Sequence, residues 1–510
     1  MKVLLVQPPS HSKYGLQAFM LTEPLGLELI AASLEPEHEV LLLDMRLEPG
    51  LHQKLASFKP DAVGVSASFT SDVYNSFQVL DIVKEHSPYT FTFAGGQHAT
   101  MAHADFMGKA NAVVLGEGEL TVRELVRCWE KEEPLEAVSG LAFSRNHSWI
   151  RTSPRQLITN LDESPLPARY LIRKYLPHYF ITSRRPIASV ETSRGCAHRC
   201  KFCSVWRFFR NTFRSRSPQR VAEELRQIES QDVLITDDSA LSDPVRSESL
   251  VDEIKKAGIR KRYLMQIRAD SIVRYPHVLT KWKNIGLESV FVGFESINQR
   301  GLDELGKRLP INYVEEAIAT LRSLDINLMG SFIVTPDFNK EDFAALRHFV
   351  KRMKLRSPAF SILTPLPGTI LHEERSPEIT SHNYELYDLL HATLPTRLEL
   401  KEFYRQFIRL YISAYFQHVT PRGLFRPLIE RRLSSHLSQT SGWLRLFRDN
   451  NPWALAKHHR LPAGKLSQSR FCKQVLSLKR QIKWDSKPDS LANSPYKTRY
   501  SEDEMPQMPL

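Results

Sequence analysis

Short apolar runs alternate with longer amphipathic stretches over the first 145 residues. The first run, Val3-Leu-Leu-Val6, contains no polar position, as expected for a strand buried on both faces of a sheet. Stretches with helical spacing separate this run from the ones that follow. The pattern predicts a doubly wound, parallel α/β sheet. The predicted strands are 3–6, 40–43, 62–66, 91–94 and 112–115, with helices over 24–34, 51–58 and 73–84 and from residue 120.

A second alternation of strands and helices begins at residue 187, after a segment rich in Pro and Arg that is typical of an extended linker. Units repeated at this spacing predict a partial (β/α)6 TIM barrel, whose active groups gather at the C-terminal ends of the strands. The predicted strands are Ile187–Glu191, Val233–Thr236, Tyr263–Ile267, Ser289–Phe294, Asn327–Ile333 and Phe360–Leu363, with helices at about 217–229, 246–257, 275–285, 311–324 and 340–354.

The last third of the chain changes character. Residues 376–415 have approximate helical periodicity and predict a small helical cap over the barrel. From Pro421 onward, basic residues alternate with Leu, Phe and Trp, and after about Arg480 the Ser, Pro, Lys and Asn content predicts disorder. We therefore expect a first α/β domain over 1–145, a linker over 146–185, a barrel over 186–375, a helical and basic domain over 376–480 and a disordered tail over 481–510.

Composition limits the class of protein. A chain of 510 residues is too long for one core and suggests several domains. The net charge of +12 is localised, because residues 401–500 hold 20 Lys and Arg against 5 Asp and Glu.

Five cysteines, three of them clustered, argue against a disulfide framework and for a reducing compartment. The N-terminal apolar run is too short for a signal peptide, and no apolar run reaches the roughly 18 residues that span a bilayer. We expect a cytoplasmic protein.

Three cysteines lie at C-x3-C-x2-C spacing directly after the first predicted barrel strand. They are Cys196, Cys200 and Cys203, within Glu191-Thr-Ser-Arg-Gly-Cys-Ala-His-Arg-Cys-Lys-Phe-Cys203. Thiolates are soft ligands, so a compact loop of them suits an iron–sulfur cluster or zinc. Three ligands would leave one iron of a cubane cluster open to a substrate or cofactor. A structural Cys3His zinc site with His198 is the alternative, although His198 lies two residues from both Cys196 and Cys200.

Polar residues follow the other predicted barrel strands at the end where a TIM barrel places its active site. Asp237 and Asp238 end the second strand. Gln266, Arg268 and Asp270 lie on and after the third. Glu295 and Ser296 end the fourth, and Thr364–Thr369 follows the sixth. A structural salt bridge would explain Arg268 and Asp270 equally well. Together with the cysteine loop after the first strand, four successive strands end in such residues, which favours a shared site at this end of the barrel.

The segment 186–370 resembles the radical S-adenosylmethionine (SAM) superfamily through its cysteine motif, in which Phe202 takes the aromatic position before the last cysteine. The resemblance implies a [4Fe–4S] cluster held by Cys196, Cys200 and Cys203, with the fourth iron chelating SAM. It implies SAM contacts from Phe202 and, at the strand ends, from Asp237, Asp238, Arg268, Glu295 and Ser296. One departure is Val334–Phe338, which stands where many relatives have a glycine-rich loop.

Two glycine loops, Gly95-Gly-Gln-His98 and Gly116-Glu-Gly-Glu119, follow predicted strands of the first domain. Glycine allows a ligand to approach the backbone closely. With Ser66–Thr70, these loops resemble the cobalamin-binding domain that precedes many radical SAM enzymes. The resemblance implies cobalamin, as methylcobalamin, and contacts from Ser66, Ser68, Gly95, Gly96, His98, Gly116, Glu117 and Gly118. Because Ser10–Gly15 departs from the D-x-H-x-x-G pattern, we expect no histidine on cobalt. A vestigial domain that binds nothing is the alternative.

Together the two resemblances imply a cobalamin-dependent radical SAM methylase that acts on an unactivated carbon and needs a one-electron donor such as a flavodoxin or ferredoxin. Segments 330–338 and 394–404 are similar to hopanoid C-3 methylases, which implies a lipid substrate. The basic segment 421–480 then suits a peripheral contact with the inner membrane rather than nucleic acid. Two alternatives stay open: a cyclase or oxidoreductase using the same cofactors, and an iron–sulfur protein that binds nucleic acid.

Overall fold

Two parallel sheets organise the chain. The computed structural model describes residues 1–10, 20–145, 148–416 and 451–466. The predictions for most of the segment Ser10–Gly15, for most of the basic segment 421–480 and for the tail after 480 lie outside the described residues.

The first sheet has seven strands in the order β3-β1-β4-β5-β6-β7-β8. The five strands predicted from the apolar runs are present and parallel. The antiparallel pair β7 and β8 extends the sheet to residue 151, past the expected boundary at 145. The strands are β1 Lys2–Gln7, β2 Met20–Leu21, β3 Glu39–Asp44, β4 Ala62–Ser66, β5 Phe91–Gly95, β6 Ala112–Val114, β7 Leu141–Arg145 and β8 Ser148–Arg151, where β2 lies outside this sheet.

Helices cover both faces of this sheet, so alternate residues of β1, which lies between β3 and β4, enter different cores. Val3 and Leu5 of β1 pack into one core, and Leu4 and Val6 into the other. This arrangement explains why the first apolar run has no polar position. The helices of this domain are α1 Leu25–Leu34, α2 Leu51–Phe58, α3 Val73–His86, α4 Gln97–Met101 and α5 Glu119–Glu130.

The segment between the two sheets packs against the first domain, whereas the sequence predicted an extended linker. Short 3-10 turns at Leu161–Glu163 and Arg169–Ile172 compact it. Tyr175 and Tyr179 are buried in a core of the first domain. Its last strand, β9 (Phe180–Ile181), pairs with β2. Burial of aromatic side chains explains why this Pro-rich segment is ordered.

The second sheet has the six parallel strands that the sequence predicts, in chain order, and is a partial (β/α)6 barrel. Its strands are β10 Ile187–Val190, β13 Asp232–Ile235, β14 Arg262–Gln266, β15 Leu287–Glu295, β16 Asn327–Val334 and β17 Ala359–Ile362, and a separate small pair is β11 Ser193–Arg194 with β12 Arg214–Ser215. The helices are α6 Val205–Phe208, α7 Pro218–Gln227, α8 Pro244–Lys256, α9 Ala269–Arg274, α10 Pro276–Asn284, α11 Gln299–Glu304, α12 Asn312–Ser323, α13 Lys340–Arg352 and α14 Ile370–Arg375.

Two further helices follow the barrel, α15 (Leu400–Phe416) and α16 (Pro452–His458). Phe403, Phe407 and Leu410 of α15 belong to the same core as the barrel strands, and α15 packs along α13. Helix α15 therefore continues the outer helical layer of the barrel, whereas the sequence predicted a cap over it.

Candidate functional site

The cysteine loop begins two residues after β11 and is closed at its base by the pairing of β11 with β12, where Arg194 lies opposite Arg214. Gly195 connects this base to Cys196 with a φ of +90°. A β-carbon at Gly195 would collide with the carbonyl oxygen of Thr212. The position therefore requires glycine both for its backbone conformation and for space.

The three thiols of this loop are free and close enough to influence one another. Burial raises the pKa of Cys203 to about 12, and the neighbouring Cys200 and Cys196 add to the rise. Burial also raises the pKa of Cys196, with a contribution from Cys200. Buried thiols at close quarters need a metal to hold them as thiolates, so this donor set fits the cluster that the motif implies.

Among the described residues, the structure provides no comparable site for a single metal ion. Within the described ranges, no three His, Cys, Asp or Glu side chains are grouped so that they could share one ion. A cubane cluster does not require such a group, because each thiolate binds a different iron. The structure thus does not assemble the Cys3His site of the zinc alternative.

The two aspartates after β13 have different surroundings. Asp237 is buried, and its two oxygens accept four hydrogen bonds from the amides and hydroxyls of Thr192 and Ser193, at 2.6–3.0 Å. Asp238 accepts one hydrogen bond from the Gly195 amide at 3.2 Å. Burial raises the pKa of Asp238 to about 7, helped by the charges of Asp237 and Glu191. Asp237 therefore holds Thr192 and Ser193, which lead into the cysteine loop. Asp238 makes fewer hydrogen bonds within the protein, so it stays the better candidate to contact the SAM ammonium.

A connected set of charged side chains lies beyond β14 and β15. Arg268 donates to Asp270 at 3.0 Å and to the carbonyl of Lys307 at 3.3 Å. Lys307 donates to Glu295 at 2.8 Å, and both side chains are buried. Glu295 has a φ of +67°, a strained conformation for glutamate that is common at functional sites. The charge of Arg268 acts on Cys196, which places this set beside the cysteine loop.

Lys307 was missed by the sequence analysis. Its signal in the sequence is a lysine between Leu305 and Leu309, both of which are buried. Such a position requires an acidic partner. That partner, Glu295, is 12 residues away, which is too far for a local pattern to reveal.

Phe202 and Ser296 contact protein groups in the structure. Phe202 packs against a small apolar cluster formed by Leu305, Ile333, Leu363 and Leu371. The Ser296 hydroxyl donates to the carbonyl of Asn298 at 3.2 Å, within the turn after β15. Their proposed SAM contacts stay predictions, and the buried apolar cluster around Phe202 is a feature that the sequence did not predict.

Four of the residues predicted for cobalamin gather at the C-terminal ends of β4 and β5. The hydroxyls of Ser66 and Ser68 are 3.4 Å apart and exposed. Gly96 has a φ of +118°, and a β-carbon there would lie 2.8 Å from the Ser68 hydroxyl. Gly95 precedes it at the end of β5. This edge of a parallel sheet is where such folds bind their ligands, and its hydroxyls and glycines fit the tail of a corrinoid.

The other predicted cobalamin contacts are directed elsewhere. His98 is buried, with its Nδ1 atom 3.1 Å from the Thr70 hydroxyl and its ring against Tyr384. Glu117 is buried and accepts hydrogen bonds from Arg194 and Arg214 at 2.9 Å. Gly118 packs on Ile30, while Gly116 is open. His98 and Glu117 therefore have structural partners, and their contact with cobalamin is not supported by side-chain geometry.

The edge of the first sheet at the C-terminal ends of β4 and β5 faces the cysteine loop. Gln97, at the start of α4, donates a hydrogen bond of 2.5 Å to the hydroxyl of Ser204, the residue that follows Cys203. At the other end of α4, Met101 packs against Gly368 from the loop after β17. The two predicted cofactor sites therefore lie on facing elements of the molecule.

Comparisons with known proteins agree with this arrangement. A family model for the radical SAM superfamily matches residues 190–350, and one for the B12 binding domain matches residues 14–126. The chain is 34% identical to a hopanoid C-3 methylase of Methylococcus capsulatus, covering 82% of this chain and 81% of the relative. It is 30% identical to an uncharacterized methyltransferase of Pyrococcus horikoshii, covering 84% and 95%. The fold is similar to the radical SAM methyltransferase TsrM of Kitasatospora setae, with a TM-score of 0.61, 17% identity and coverage of 75% and 79%.

Fold and site define a radical SAM enzyme with a cobalamin-binding domain. The chain belongs to the family of cobalamin-dependent radical SAM methylases. Its cofactors are a [4Fe–4S] cluster, SAM and cobalamin, and its reaction is C-methylation. Neither the cyclase or oxidoreductase alternative nor the nucleic-acid alternative is favoured, because both relatives above are a methylase or methyltransferase. In the part of the chain that the structure describes, no helix has the length and apolar character needed to cross a membrane.

Proposed function

We propose that this enzyme transfers a methyl group to C-3 of a hopanoid lipid. The observation that carries the proposal is the 34% identity to a hopanoid C-3 methylase, which extends over 82% of this chain. The similarity therefore includes the region after the radical SAM domain, where substrate contacts differ between enzymes that share cofactors.

The structure supports the proposal by bringing together the two segments that resemble hopanoid C-3 methylases. The amide of Arg397, in segment 394–404, donates to the carbonyl of Pro336, in segment 330–338, at 2.9 Å. Ile333, in segment 330–338, belongs to the apolar cluster that packs on Phe202. This buried cluster makes the packing next to the cysteine loop apolar, which suits a polycyclic hydrocarbon better than a polar substrate.

When bound, the cluster and SAM supply radical abstraction of hydrogen from an unactivated carbon, and cobalamin supplies the methyl group. Cys196, Cys200 and Cys203 would hold the cluster. Asp238 and Arg268 carry charges complementary to the SAM ammonium and carboxylate. At the facing sheet edge, the residues that would hold cobalamin are Ser66, Ser68, Gly95 and Gly96. The packed elements around these side chains exclude water and keep the substrate carbon within reach of both cofactor sites.

The partners and location follow from the substrate. A membrane lipid gives the basic segment 421–480 a role in binding anionic headgroups, as part of a C-terminal domain over 376–480. We infer a cytoplasmic enzyme, peripheral to the inner membrane, that receives electrons from a flavodoxin or ferredoxin. Flotation with vesicles that contain phosphatidylglycerol tests the membrane contact. Binding should fall with added salt, and equal binding to neutral vesicles would contradict it.

Loss of the gene product in its host tests the substrate. Lipid extracts of the deletion strain should lack one methylated hopanoid, which the wild-type chain restores and the Cys200→Ala variant does not. The variant controls for effects of the protein that do not require its cluster. An unchanged hopanoid profile in the deletion strain would refute the substrate assignment.

A further inference from the structure

Arg194 lies two residues before the first cluster cysteine, and its guanidinium is only 5% exposed. It donates to three carboxylates, Glu191 at 2.7 Å, Glu117 at 2.9 Å and Glu119 at 2.5 Å. Glu191 belongs to the barrel. In the cobalamin domain, Glu117 lies in the turn after β6 and Glu119 is the first residue of α5, so one side chain joins the two cofactor-binding domains.

A second cation strengthens this junction from the other end of the cysteine loop. Arg214 pairs with Arg194 between β11 and β12, and its Nη1 atom donates to both oxygens of Glu117 at 2.9 and 3.0 Å. The same atom donates to the carbonyl of Ile158 at 2.6 Å. The segments that enter and leave the cysteine loop therefore both reach Glu117. We call Arg194, Arg214, Glu117 and Glu119 the interdomain clamp.

The charges of the clamp depend on one another. Burial alone would raise the pKa of Glu119, but the charge of Arg194, its hydrogen bond to Glu119 and smaller contributions from the backbone and Arg216 together lower the pKa. A buried ion cluster is sensitive to geometry, because each ion depends on partners at hydrogen-bond distance to offset its lost hydration. A shift of the turn after β6 would therefore move Arg194 and Arg214 at the base of the cysteine loop.

Hydrogen abstraction and methyl donation act on the same substrate carbon, so the distance between the two cofactor sites has to be fixed. We propose that Arg194 is a positioning residue that fixes the cobalamin domain against the cysteine loop through Glu117 and Glu119, and so keeps the two half-reactions coupled. The proposal rests on the family reaction and does not depend on the hopanoid assignment.

Hydrogen exchange in the full-length protein, with cobalamin but without cluster, tests the coupling independently of turnover. In the wild type, cobalamin should slow amide exchange in peptides covering 192–200 by about fivefold or more. In Glu117→Gln, which keeps the size of the side chain and removes its charge, cobalamin should still slow exchange at Ser66–Gly96 but not at 192–200. Glu124→Gln is the matched control, because Glu124 is on α5 and pairs with Arg155 at the surface.

Turnover of the reconstituted enzyme provides the second readout. With SAM, a hopanoid and a chemical reductant, Arg194→Lys should release about tenfold more 5′-deoxyadenosine per methylated product than the wild type, with unchanged iron and cobalamin content. Equal protection of 192–200 by cobalamin in the wild type and in Glu117→Gln would overturn the proposal. So would loss of iron and cobalamin together in both variants, because that result would show a purely structural role. If the wild type does not methylate the hopanoid, the exchange experiment still decides the coupling.

Discussion

Gly195 offers a sharp test of the cysteine-loop geometry, because its substitution adds one methyl group at a defined place. The residue has a φ of +90°, and an alanine β-carbon would collide with the Thr212 carbonyl and lie 3.1 Å from the Phe209 β-carbon. The positive φ alone costs alanine roughly 1–2 kcal/mol. Moving the backbone before β12 to relieve the collision adds about 1–3 kcal/mol, as in other overpacked sites.

Gly258 provides the control. It follows α8 with a φ of +66°, and a β-carbon there meets nothing within 4 Å. Gly258→Ala therefore carries the conformational cost without the collision. The two variants therefore differ by the cost of the collision, about 1–3 kcal/mol. If this strain falls on the cluster-bound loop, Gly195→Ala should bind the cluster about 5- to 150-fold more weakly than Gly258→Ala.

Iron retention measures this difference. After anaerobic reconstitution and incubation with a competing chelator, the wild type and Gly258→Ala should retain about four iron atoms per chain, and Gly195→Ala should retain less than about half of that. The amount of 5′-deoxyadenosine formed should fall in proportion. Full iron retention by Gly195→Ala would show that the loop does not need the closure at its base, and would refute the reasoning.

Three further outcomes follow from buried polar groups. Lys307→Met leaves Glu295 buried and unpaired, so the cluster-free protein should lose about 3–5 kcal/mol of stability in thermal unfolding. Lys307→Arg keeps a positive charge and should lose less. Equal losses of stability in the two variants would argue against the ion pair. Burial raises the pKa of Asp238 from 3.8 to about 7. The stability that its protonated form contributes is therefore complete below pH 3.8 and is lost as the pH rises through about 7. Denaturant titrations between these pH values should show a smaller loss of unfolding free energy in Asp238→Asn than in the wild type. Identical dependence of stability on pH in the two proteins would contradict the raised pKa. Tyr404→Phe leaves the Ala392 amide, 3.0 Å from the hydroxyl, without an acceptor, so it should cost about 1–3 kcal/mol while substrate-free SAM cleavage stays at the wild-type rate; loss of cleavage would count against this view.

The sequence predicted the parts of the fold that depend on local hydrophobic pattern. All six barrel strands were predicted within one or two residues, because strands covered on both faces are continuous apolar runs. The antiparallel pair β7 and β8 was missed: β8 (Ser148–Arg151) has polar residues at both ends and only Trp149 and Ile150 partly buried between them. The packing of the linker was missed because Tyr175 and Tyr179 are buried by the preceding domain, which a local pattern does not show.

For the site, the cysteine spacing was sufficient to identify the motif, whereas side-chain pairing was not predictable. Glu117 was predicted as a cobalamin contact from its glycine-rich turn, but it pairs with Arg194, which is 77 residues away. His98 was chosen on the same basis and is buried by Tyr384 from beyond the barrel. Long-range ion pairs and burial leave little trace in a single sequence, so the protein partners of Glu117 and His98 were not predicted, and their contacts with cobalamin stay predictions.

The central claim, cobalamin-dependent radical methylation of a hopanoid, is tested most directly with SAM that carries a deuterated methyl group. Reconstituted enzyme, a hopanoid and a chemical reductant should yield a lipid that carries the deuterated methyl group. One 5′-deoxyadenosine and one S-adenosylhomocysteine should accompany each product, because one SAM initiates the reaction and another supplies the methyl group. No labelled lipid should form without cobalamin or with Cys200→Ala. Formation of 5′-deoxyadenosine without any labelled lipid, or labelled lipid from Cys200→Ala, would contradict the account.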